Sequence, residues 1–353
     1  MRNSKLFACI WILVLGFLTG CQQNQQGSQE QVSSSLDLFA MDTYVNLKVY
    51  CEDTATAQAA LQAGEVLIQD MEHRFSVTDP DSDVSRINQN AGNFTEISSD
   101  TENLIQTALA IGAESNGALD ISVYPVLKEW GFTTQEYKIP EEETLRDLLD
   151  LVDYTQISLE DHQVRIPEHT QIDLGAVAKG YIGDQLMALF QEYGAESAVI
   201  SLGGNVQALG AKPDGSAWNV AVVNPLSPSE NMGILQIINQ AVITSGNYER
   251  YFIGEDHQKY WHIIDPSDGF PADNGLVSVT VIGENGLLCD ALSTTLFILG
   301  TEQAVSYWQE SENPFDMILV TETGTILITE DISESFENLS TFPVEVIFHD
   351  EAS

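Results

Sequence analysis

The chain has 353 residues, of which 13 are Lys or Arg and 53 are Asp or Glu, so its formal net charge is −40. So large an acid excess excludes ordinary nucleic-acid binders, because the neutralisation of phosphates requires a basic surface. Hydrophobic residues make up 43% of the chain and aromatic residues 8%, which is enough for a packed core. The length fits one large domain or two ordinary ones. An anionic substrate would have to be met by a metal ion or by the few lysines.

The N-terminal segment resembles a bacterial lipoprotein signal peptide. A short basic region comes first, residues 6–18 are almost all apolar, and a Leu-Thr-Gly-Cys motif follows at residues 18–21. We therefore predict a signal peptide over residues 1–20 and a lipid on Cys21. An uncleaved anchor helix is the alternative, and the small residues before the cysteine count against it. The lipid would hold the protein on the extracytoplasmic face of a bacterial cell membrane.

The rest of the chain reads as a tether followed by one folded unit. Residues 21–35 are rich in Gln and Ser and show no apolar period, which predicts a flexible tether. Residues 36–353 contain no Pro- or Ser-rich break, internal repeat or low-complexity block, which predicts one domain. An oxidising compartment would allow a disulfide between Cys51 and Cys289, but we expect two buried free thiols.

Apolar spacing predicts a mixture of helices and strands along the domain. Helical spacing covers residues 55–75, 100–115, 175–193 and 291–299. Strand patterns cover residues 43–50, 197–202, 218–223, 235–243, 260–264, 277–282 and 344–348, with a hairpin over residues 317–329. Clusters of strands joined by hairpins, with helices inserted in blocks, predict an α+β fold: a single large mixed domain rather than a regular doubly wound sheet.

The segment 172–181 is the densest candidate for chemistry. A helix that begins near Gly175 would offer free backbone N–H groups to an anion, and Lys179 would add a full positive charge one turn later. Asp173 stands where a helix cap would stand, and capping alone explains it. The segment is therefore a weak phosphate-site signal when it is taken by itself.

Three later segments carry further candidates. A strand runs into Gly203-Gly204-Asn205, which a tight turn would also explain, and His262 lies in a strand where a structural role is common. Asp290 and Thr294 stand four residues apart on one helix face. Their oxygen atoms suit Mg²⁺ or Ca²⁺ rather than zinc, although a helix cap at Asp290 is the plainer interpretation.

Taken together and in order, these segments resemble the motifs of the ApbE family, the FAD:protein FMN transferases, over residues 41–300. The matching segments are Met41-x-Thr43, Phe75-Ser76 with residues 81–88, Gly117-Ala118-Leu119-Asp120 with Trp130-Gly131-Phe132, Asp173-x-Gly175-x-x-x-Lys179-Gly180, Gly203-Gly204-Asn205, Thr244-Ser245-Gly246-x-Tyr248-x-Arg250, His262-Ile263-Ile264-Asp265-Pro266 with Gly269, and Asp290-Ala291-Leu292-Ser293-Thr294. Each motif alone is weak evidence for the family. Their number and their order, behind the lipoprotein signal motif at residues 18–21, make the resemblance specific.

The resemblance implies an ApbE-like, T-fold-related domain that transfers FMN from FAD to a Thr or Ser hydroxyl of an acceptor flavoprotein, releases AMP and requires Mg²⁺. The implied FAD contacts are Met41, Thr78, Ala118, Leu119, Asp120, Asp173, Lys179 and Ile264. The implied metal ligands are Asp290, Thr294 and the carbonyl of Ala176, with Ser293 adjacent. The implied catalytic residues are His262, as general base, and Lys179. Many family members carry an aromatic residue near Val77-Thr78, so this chain departs from the pattern there.

Two other functions remain open at this stage. An FAD pyrophosphatase would use the same metal site, with water in place of the acceptor hydroxyl, and would yield FMN and AMP. A flavin-binding lipoprotein would only capture or deliver the cofactor, and it would need no poised base. The partners that these interpretations imply are FAD, an acceptor flavoprotein and, through the lipid, a membrane.

Overall fold

The structure, a computed structural model, describes residues 31–349. The predicted signal peptide and the lipidated Cys21 lie outside the described residues. Strand β1 (Val32–Ala40) pairs in a sheet, so the tether predicted over residues 21–35 is wrong for residues 32–35, and residues 21–30 lie outside the described residues. The Ser-rich composition hid this strand because its pairing with residues 43–51 uses main-chain hydrogen bonds, while its serine side chains stay at the surface.

Seven α-helices occur within residues 31–349. They are α1 (Thr54–Phe75), α2 (Asp83–Gln89), α3 (Ser99–Glu114), α4 (Tyr124–Glu129), α5 (Glu142–Leu149), α6 (Ala178–Glu192) and α7 (Gly286–Glu310). Side chains at Asp53, Ser82, Ser98 and Asn285 accept backbone N–H groups and so start α1, α2, α3 and α7. None of the helices in this range combines the length and apolarity that crossing a membrane would require.

The strands form one large sheet and three small ones. After β1 they are β2 (Thr43–Cys51), β3 (Thr95–Glu96), β4 (Ser158–Glu160), β5 (Gln163–Arg165), β6 (Ser197–Leu202), β7 (Asn205–Leu209), β8 (Trp218–Val223), β9 (Asn231–Ile237), β10 (Ala241–Gly246), β11 (Tyr251–Ile253), β12 (Lys259–Trp261), β13 (Leu276–Gly283), β14 (Asp316–Thr321), β15 (Ile326–Thr329), β16 (Phe336–Asn338) and β17 (Val344–Ile347). The main sheet has the order β1-β2-β6-β7-β10-β13-β14-β15-β17 and is antiparallel except for the parallel pair β15–β17.

The two faces of the main sheet are both covered. Along β2, Val45, Leu47 and Val49 face the core that the sheet shares with α1, α6 and α7. Tyr50 points the opposite way and packs on the second core, which the three-stranded sheet β16-β9-β8 completes around Trp218. This alternation is the ordinary period of a strand buried on two sides. The prediction of one mixed α+β domain built of antiparallel strand clusters is confirmed.

Both cysteines of the described residues are free thiols in the helix-side core. Cys51 ends β2 and Cys289 lies in α7, and both are buried. Burial raises the pKa of each thiol, because the thiolate would lose its hydration. The prediction of two buried free thiols is confirmed, and the two side chains act as small apolar groups.

Candidate active site

A cavity of about 1070 Å³ opens beside the ends of β6 and β10, the first turn of α6 and the middle turns of α7. It brings together most of the residues that the sequence singled out. The predicted site residues that line it are Met41, Ala118, Leu119, Asp120, Asp173, Ala176, Lys179, His262, Ile264, Asp290 and Thr294. Met41 and Thr294, which are 253 residues apart in the sequence, therefore meet at one recess.

Asp290 reaches the cavity wall through a close crossing of α6 and α7. Its Oδ2 accepts the backbone N–H of Gly180 at 2.8 Å, and its Oδ1 accepts the amide of Asn205 at 3.0 Å. Glycine is needed at position 180 because a Cβ there would lie 2.1 Å from the carbonyl oxygen of Gly286. The interpretation of Asp290 as a helix cap is wrong, since Asn285 caps α7 and Asp290 lies inside the helix. Burial raises the pKa of Asp290, and the nearby Lys179 opposes the rise.

The segment before α6 is a loop that a distant side chain holds in place. Asn88 of α2 clamps Ile172 by accepting its N–H at 2.7 Å and donating to its carbonyl at 2.9 Å. The helix begins at Ala178 rather than near Gly175, so the predicted capping role of Asp173 is wrong. Asp173 instead accepts the N–H of Gly175 at 2.7 Å and turns the loop along the cavity. Desolvation raises the pKa of Asp173, and the charges of Arg250 and Lys179 hold it down.

Lys179 and Arg250 supply positive charge to a cavity in a strongly acidic chain. Both side chains line the cavity, and Arg250 is fixed there because it donates to the carbonyl of Phe132 at 2.7 Å. Their charges oppose the rise in pKa that desolvation imposes on Asp173 and Glu249, and they add to the lowering of the pKa of His262 by burial. The pair is therefore placed to attract a phosphate-bearing ligand.

His262 is held as a neutral imidazole with one nitrogen free. Its backbone N–H and its Nδ1 both lie against the carbonyl oxygen of Arg250, at 3.1 and 3.2 Å. A carbonyl only accepts hydrogen bonds, so Nδ1 carries the proton and Nε2 keeps its lone pair. Burial, assisted by the charges of Arg250 and Lys179, lowers the pKa of His262 to about 3. The half-buried side chain lines the cavity, where Nε2 is an available proton acceptor.

Three of the four predicted metal-site residues, Ala176, Asp290 and Thr294, line the cavity. Thr294 Oγ1 lies 3.3 Å from Ser245 Oγ, and Asp290 is one helical turn before Thr294 on the same helix. Ser293 is fully buried, does not line the cavity, and bonds to Ser245 Oγ and to the carbonyl of Asp290. Among the described residues no three His, Cys, Asp or Glu side chains converge as metal ligands. One carboxylate, one hydroxyl and the carbonyl of Ala176 nevertheless suit Mg²⁺, which keeps several waters or phosphate oxygens.

Several predicted FAD contacts already use their polar atoms in hydrogen bonds within the protein. Met41 adopts a left-handed turn conformation (φ 54°) and donates its N–H to Glu72 Oε1 at 2.7 Å. Asp120 is buried, and its carboxylate accepts the N–H groups of Ser122 and Tyr154, so it shapes the cavity wall from behind. Thr78 does not line the cavity, because it lies in a turn where its hydroxyl bonds to Ser76.

Glu249 is the functional candidate that the sequence analysis missed. Its side chain is accessible to solvent but lies inside the recess, where loss of hydration raises the pKa to about 7 against the opposing charge of Lys179. Ser245 and Asn205 were also not assigned roles, although both contact predicted metal ligands. The only available signal was their position inside short glycine-broken motifs that follow apolar strands.

Comparison with known proteins assigns the family. The sequence model of the ApbE family matches residues 41–319. This chain belongs to the ApbE family. It is similar to the FAD:protein FMN transferases of Klebsiella pneumoniae (33% identical, over 84% of this chain and 91% of that protein) and Treponema pallidum (30%, over 88% and 90%).

Solved structures of the family agree with the fold. The ApbE protein of Thermotoga maritima is 29% identical, with a TM-score of 0.80 over 86% of this chain and 99% of that one. The flavinyl transferase ApbE of Pseudomonas stutzeri is 26% identical, with a TM-score of 0.77 over 87% and 97%. The predictions of an ApbE-like fold and of a transferase are confirmed.

Proposed function

We propose that this ApbE protein transfers FMN from FAD to a Thr or Ser hydroxyl of an acceptor flavoprotein and releases AMP. The observation that carries the proposal is the meeting, in one cavity, of a neutral His262 with a free Nε2, two cations and the Asp290–Thr294 oxygen pair. Relatives of about 30% identity are named for this activity.

In the proposed reaction, the acceptor oxygen attacks the phosphorus on the FMN side of the FAD pyrophosphate. A new oxygen–phosphorus bond forms, the bond from that phosphorus to the bridging oxygen breaks, and AMP leaves with the electron pair. The hydroxyl proton passes to Nε2 of His262, which Arg250 O keeps correctly oriented through Nδ1. General base assistance of this kind is worth roughly 10²–10⁴-fold in rate.

The cations of the cavity would stabilise the charge that develops on the phosphate oxygens. Lys179 and Arg250 are the positive side chains that line the cavity, and the loop turned by Asp173 exposes Gly175 to it. Asp290, Thr294 and the carbonyl of Ala176 would hold Mg²⁺. When bound, such an ion supplies additional neutralisation of the pyrophosphate charge.

The same site could in principle hydrolyse FAD or merely bind it. Hydrolysis would place water where the acceptor hydroxyl stands, and pure binding would need no base with a free nitrogen. The discriminating experiment incubates the protein with FAD, Mg²⁺ and an acceptor flavoprotein, followed by intact-mass measurement of both chains. Addition of FMN to the acceptor with release of AMP supports transfer, whereas free FMN alone supports hydrolysis and unchanged FAD supports binding.

We further propose that a lipid on Cys21 anchors the enzyme to the extracytoplasmic face of the cell membrane. The support is the sequence motif at residues 18–21 behind an apolar segment. Cys21→Ser should release or stall the protein while residues 31–349 keep their fold. A substituted protein that stays as firmly membrane-bound as the parent would show that the apolar segment is a membrane span instead.

A further inference from the structure

Strand β8 forms one edge of the three-stranded sheet β16-β9-β8. The middle strand β9 is paired on both sides, with β16 and with β8, and no other strand within residues 31–349 pairs with the second edge of β8. An unpaired edge presents N–H and C=O groups that another extended chain can bind. β8 contains neither charged residues nor proline, the usual devices that protect such an edge.

The register shows which backbone groups of β8 are free. Gln236 of β9 donates its N–H to the carbonyl of Ser335, on the β16 side, so its main-chain groups point away from β8. Asn219 is the partner of Gln236 across the β8–β9 pair, and Ala221 is the partner of Ile234. Because hydrogen-bonded and non-bonded pairs alternate in antiparallel sheets, the main-chain groups of Asn219 and Ala221 point away from β9.

This free edge opens into the catalytic cavity. The cavity is lined by residues 218–221 and 223, whereas no residue of β9 lines it. Consecutive residues of a strand point to opposite faces of the sheet. Because residues 218–221 all line the cavity, the cavity runs along the edge of β8 and not along one face. Main-sheet residues also line this cavity, and they include Asn46 and Ser201. The same cavity continues to Lys179 and Asp290.

We propose that the free edge of β8 binds an extended segment of the acceptor protein, the segment that carries the Thr or Ser hydroxyl, as an added strand. The inference rests on the proposed function, because it names the surface that delivers the hydroxyl to the part of the cavity lined by Lys179 and Asp290. Main-chain pairing supplies affinity in this mode of recognition, and side chains add specificity. Asn219 and Ala221 have exposed side chains, and the small Ala221 leaves room for a neighbouring chain.

The test uses the full-length protein and a library of seven-residue peptides with a central threonine. Ala221→Pro removes one backbone N–H that points away from β9 and so prevents a strand from pairing there. Proline is tolerated on an edge strand when the lost N–H makes no hydrogen bond to the neighbouring strand. Ala221→Ser is the matched control, since it changes the side chain and keeps the N–H. We expect Ala221→Pro to raise the KM for the modified peptides at least tenfold. The Kd for FAD should stay unchanged, and Ala221→Ser should behave as wild type.

A second measurement does not depend on the folding of the variant. The best peptide is resynthesised with single N-methyl groups, which remove one backbone donor at a time, and alternate positions should lose binding. The proposal is overturned if Ala221→Pro and the N-methyl peptides react as well as their parents, if Ala221→Pro weakens FAD binding to the same degree, or if no peptide is bound at millimolar concentration. Failure of the wild type to move FMN to any hydroxyl, including that of an intact acceptor flavoprotein, would overturn the proposed function instead.

Discussion

Asp290 of α7 accepts the backbone N–H of Gly180 in α6 at 2.8 Å, so the carboxylate assigned to the metal also ties two helices together. Its pKa is raised by burial, which means that the carboxylate contributes most stability below its unfolded pKa and loses it as pH rises through the folded value. The charged form of this buried side chain is therefore the less stable one when no cation is bound.

Asp290→Asn and Asp290→Ala should have opposite effects on stability. Asp290→Asn keeps the shape and an acceptor for the Gly180 N–H, and its new amide N–H can donate to the Asn205 amide oxygen once that amide turns over. We therefore expect it to be at least as stable as wild type at pH 7 in chelator. Asp290→Ala leaves that buried N–H unpaired and should cost about 1–3 kcal/mol. Thermal unfolding with and without Mg²⁺ measures both effects, and Mg²⁺ should raise the Tm of the wild type alone. An equal Mg²⁺ response in all three proteins would remove Asp290 from the metal site.

Gly180→Ala should separate α6 from α7. The new Cβ would meet the Gly286 carbonyl oxygen at 2.1 Å and Asp290 Cβ at 2.7 Å, and overpacking of this kind costs about 1–3 kcal/mol. Transfer per folded molecule should also fall, because Asp290 moves. The matched control is Gly194→Ala, whose Cβ meets nothing within 4 Å but whose left-handed backbone (φ 78°) costs about 1–2 kcal/mol. Similar losses of activity in both variants would contradict a specific role for the crossing.

The sequence predicted local elements well and their mutual contacts poorly. The predicted bounds of α1 and α3 lie within one residue of those in the structure, where Asp53 and Ser98 cap the two helix starts. One strand was predicted over residues 235–243, but the structure has two strands in different sheets, separated at Asn239 in a left-handed turn (φ 54°). A single left-handed residue leaves the apolar pattern unbroken, so periodicity could not reveal it.

In the candidate site too, the residues could be predicted from the sequence but their contacts with each other could not. Asp173 and Asp290 were interpreted as caps because a carboxylate near a helix start has a local explanation. The structure gives Asp290 a partner, Asn205, 85 residues away, and no spacing rule contains such a pairing. Only the order of many motifs, each weak, indicated that these segments converge. Thr78 shows the limit of that argument, since its position next to the Phe75-Ser76 motif did not bring it to the cavity.

The pH dependence of catalysis should not follow an ordinary histidine. The pKa of His262 is lowered to about 3, so the free enzyme keeps a neutral imidazole well below pH 6. We expect kcat/KM, which reports ionisations of the free enzyme, to show no loss from His262 between pH 7 and 5. The unfolded histidine binds a proton near its ordinary pKa, so the stability contributed by this depressed pKa is lost as pH falls from about 6.5 toward 3.

His262→Asn tests both statements. Transfer should fall by roughly 10²-fold or more while FAD affinity is retained, because the proton acceptor is needed in the transition state. The variant should also lose less stability than wild type on acidification from pH 6 to 4, measured by urea unfolding. A variant that transfers FMN at the wild-type rate would exclude His262 as the base.

Glu249 should make FAD binding weaken as pH rises. Burial raises the pKa of Glu249 to about 7, so the cavity gains a negative charge between pH 6 and 8, where the FAD pyrophosphate is already anionic. The Kd for FAD in chelator, measured by flavin fluorescence, should therefore be lower at pH 6 than at pH 8. Glu249→Gln should abolish most of that difference, and an unchanged pH dependence in the variant would show that another group causes it.

The most direct test of transfer to a hydroxyl follows the oxygen atoms. The enzyme, FAD, Mg²⁺ and an acceptor flavoprotein are mixed in water enriched in heavy oxygen, and the acceptor, AMP and FMN are weighed by mass spectrometry. If the acceptor hydroxyl is the nucleophile, one FMN is added to the acceptor for each AMP released. Neither the modified acceptor nor the AMP should then contain heavy oxygen. Free FMN that contains heavy oxygen, with an unmodified acceptor, would show that water is the nucleophile and would contradict the account.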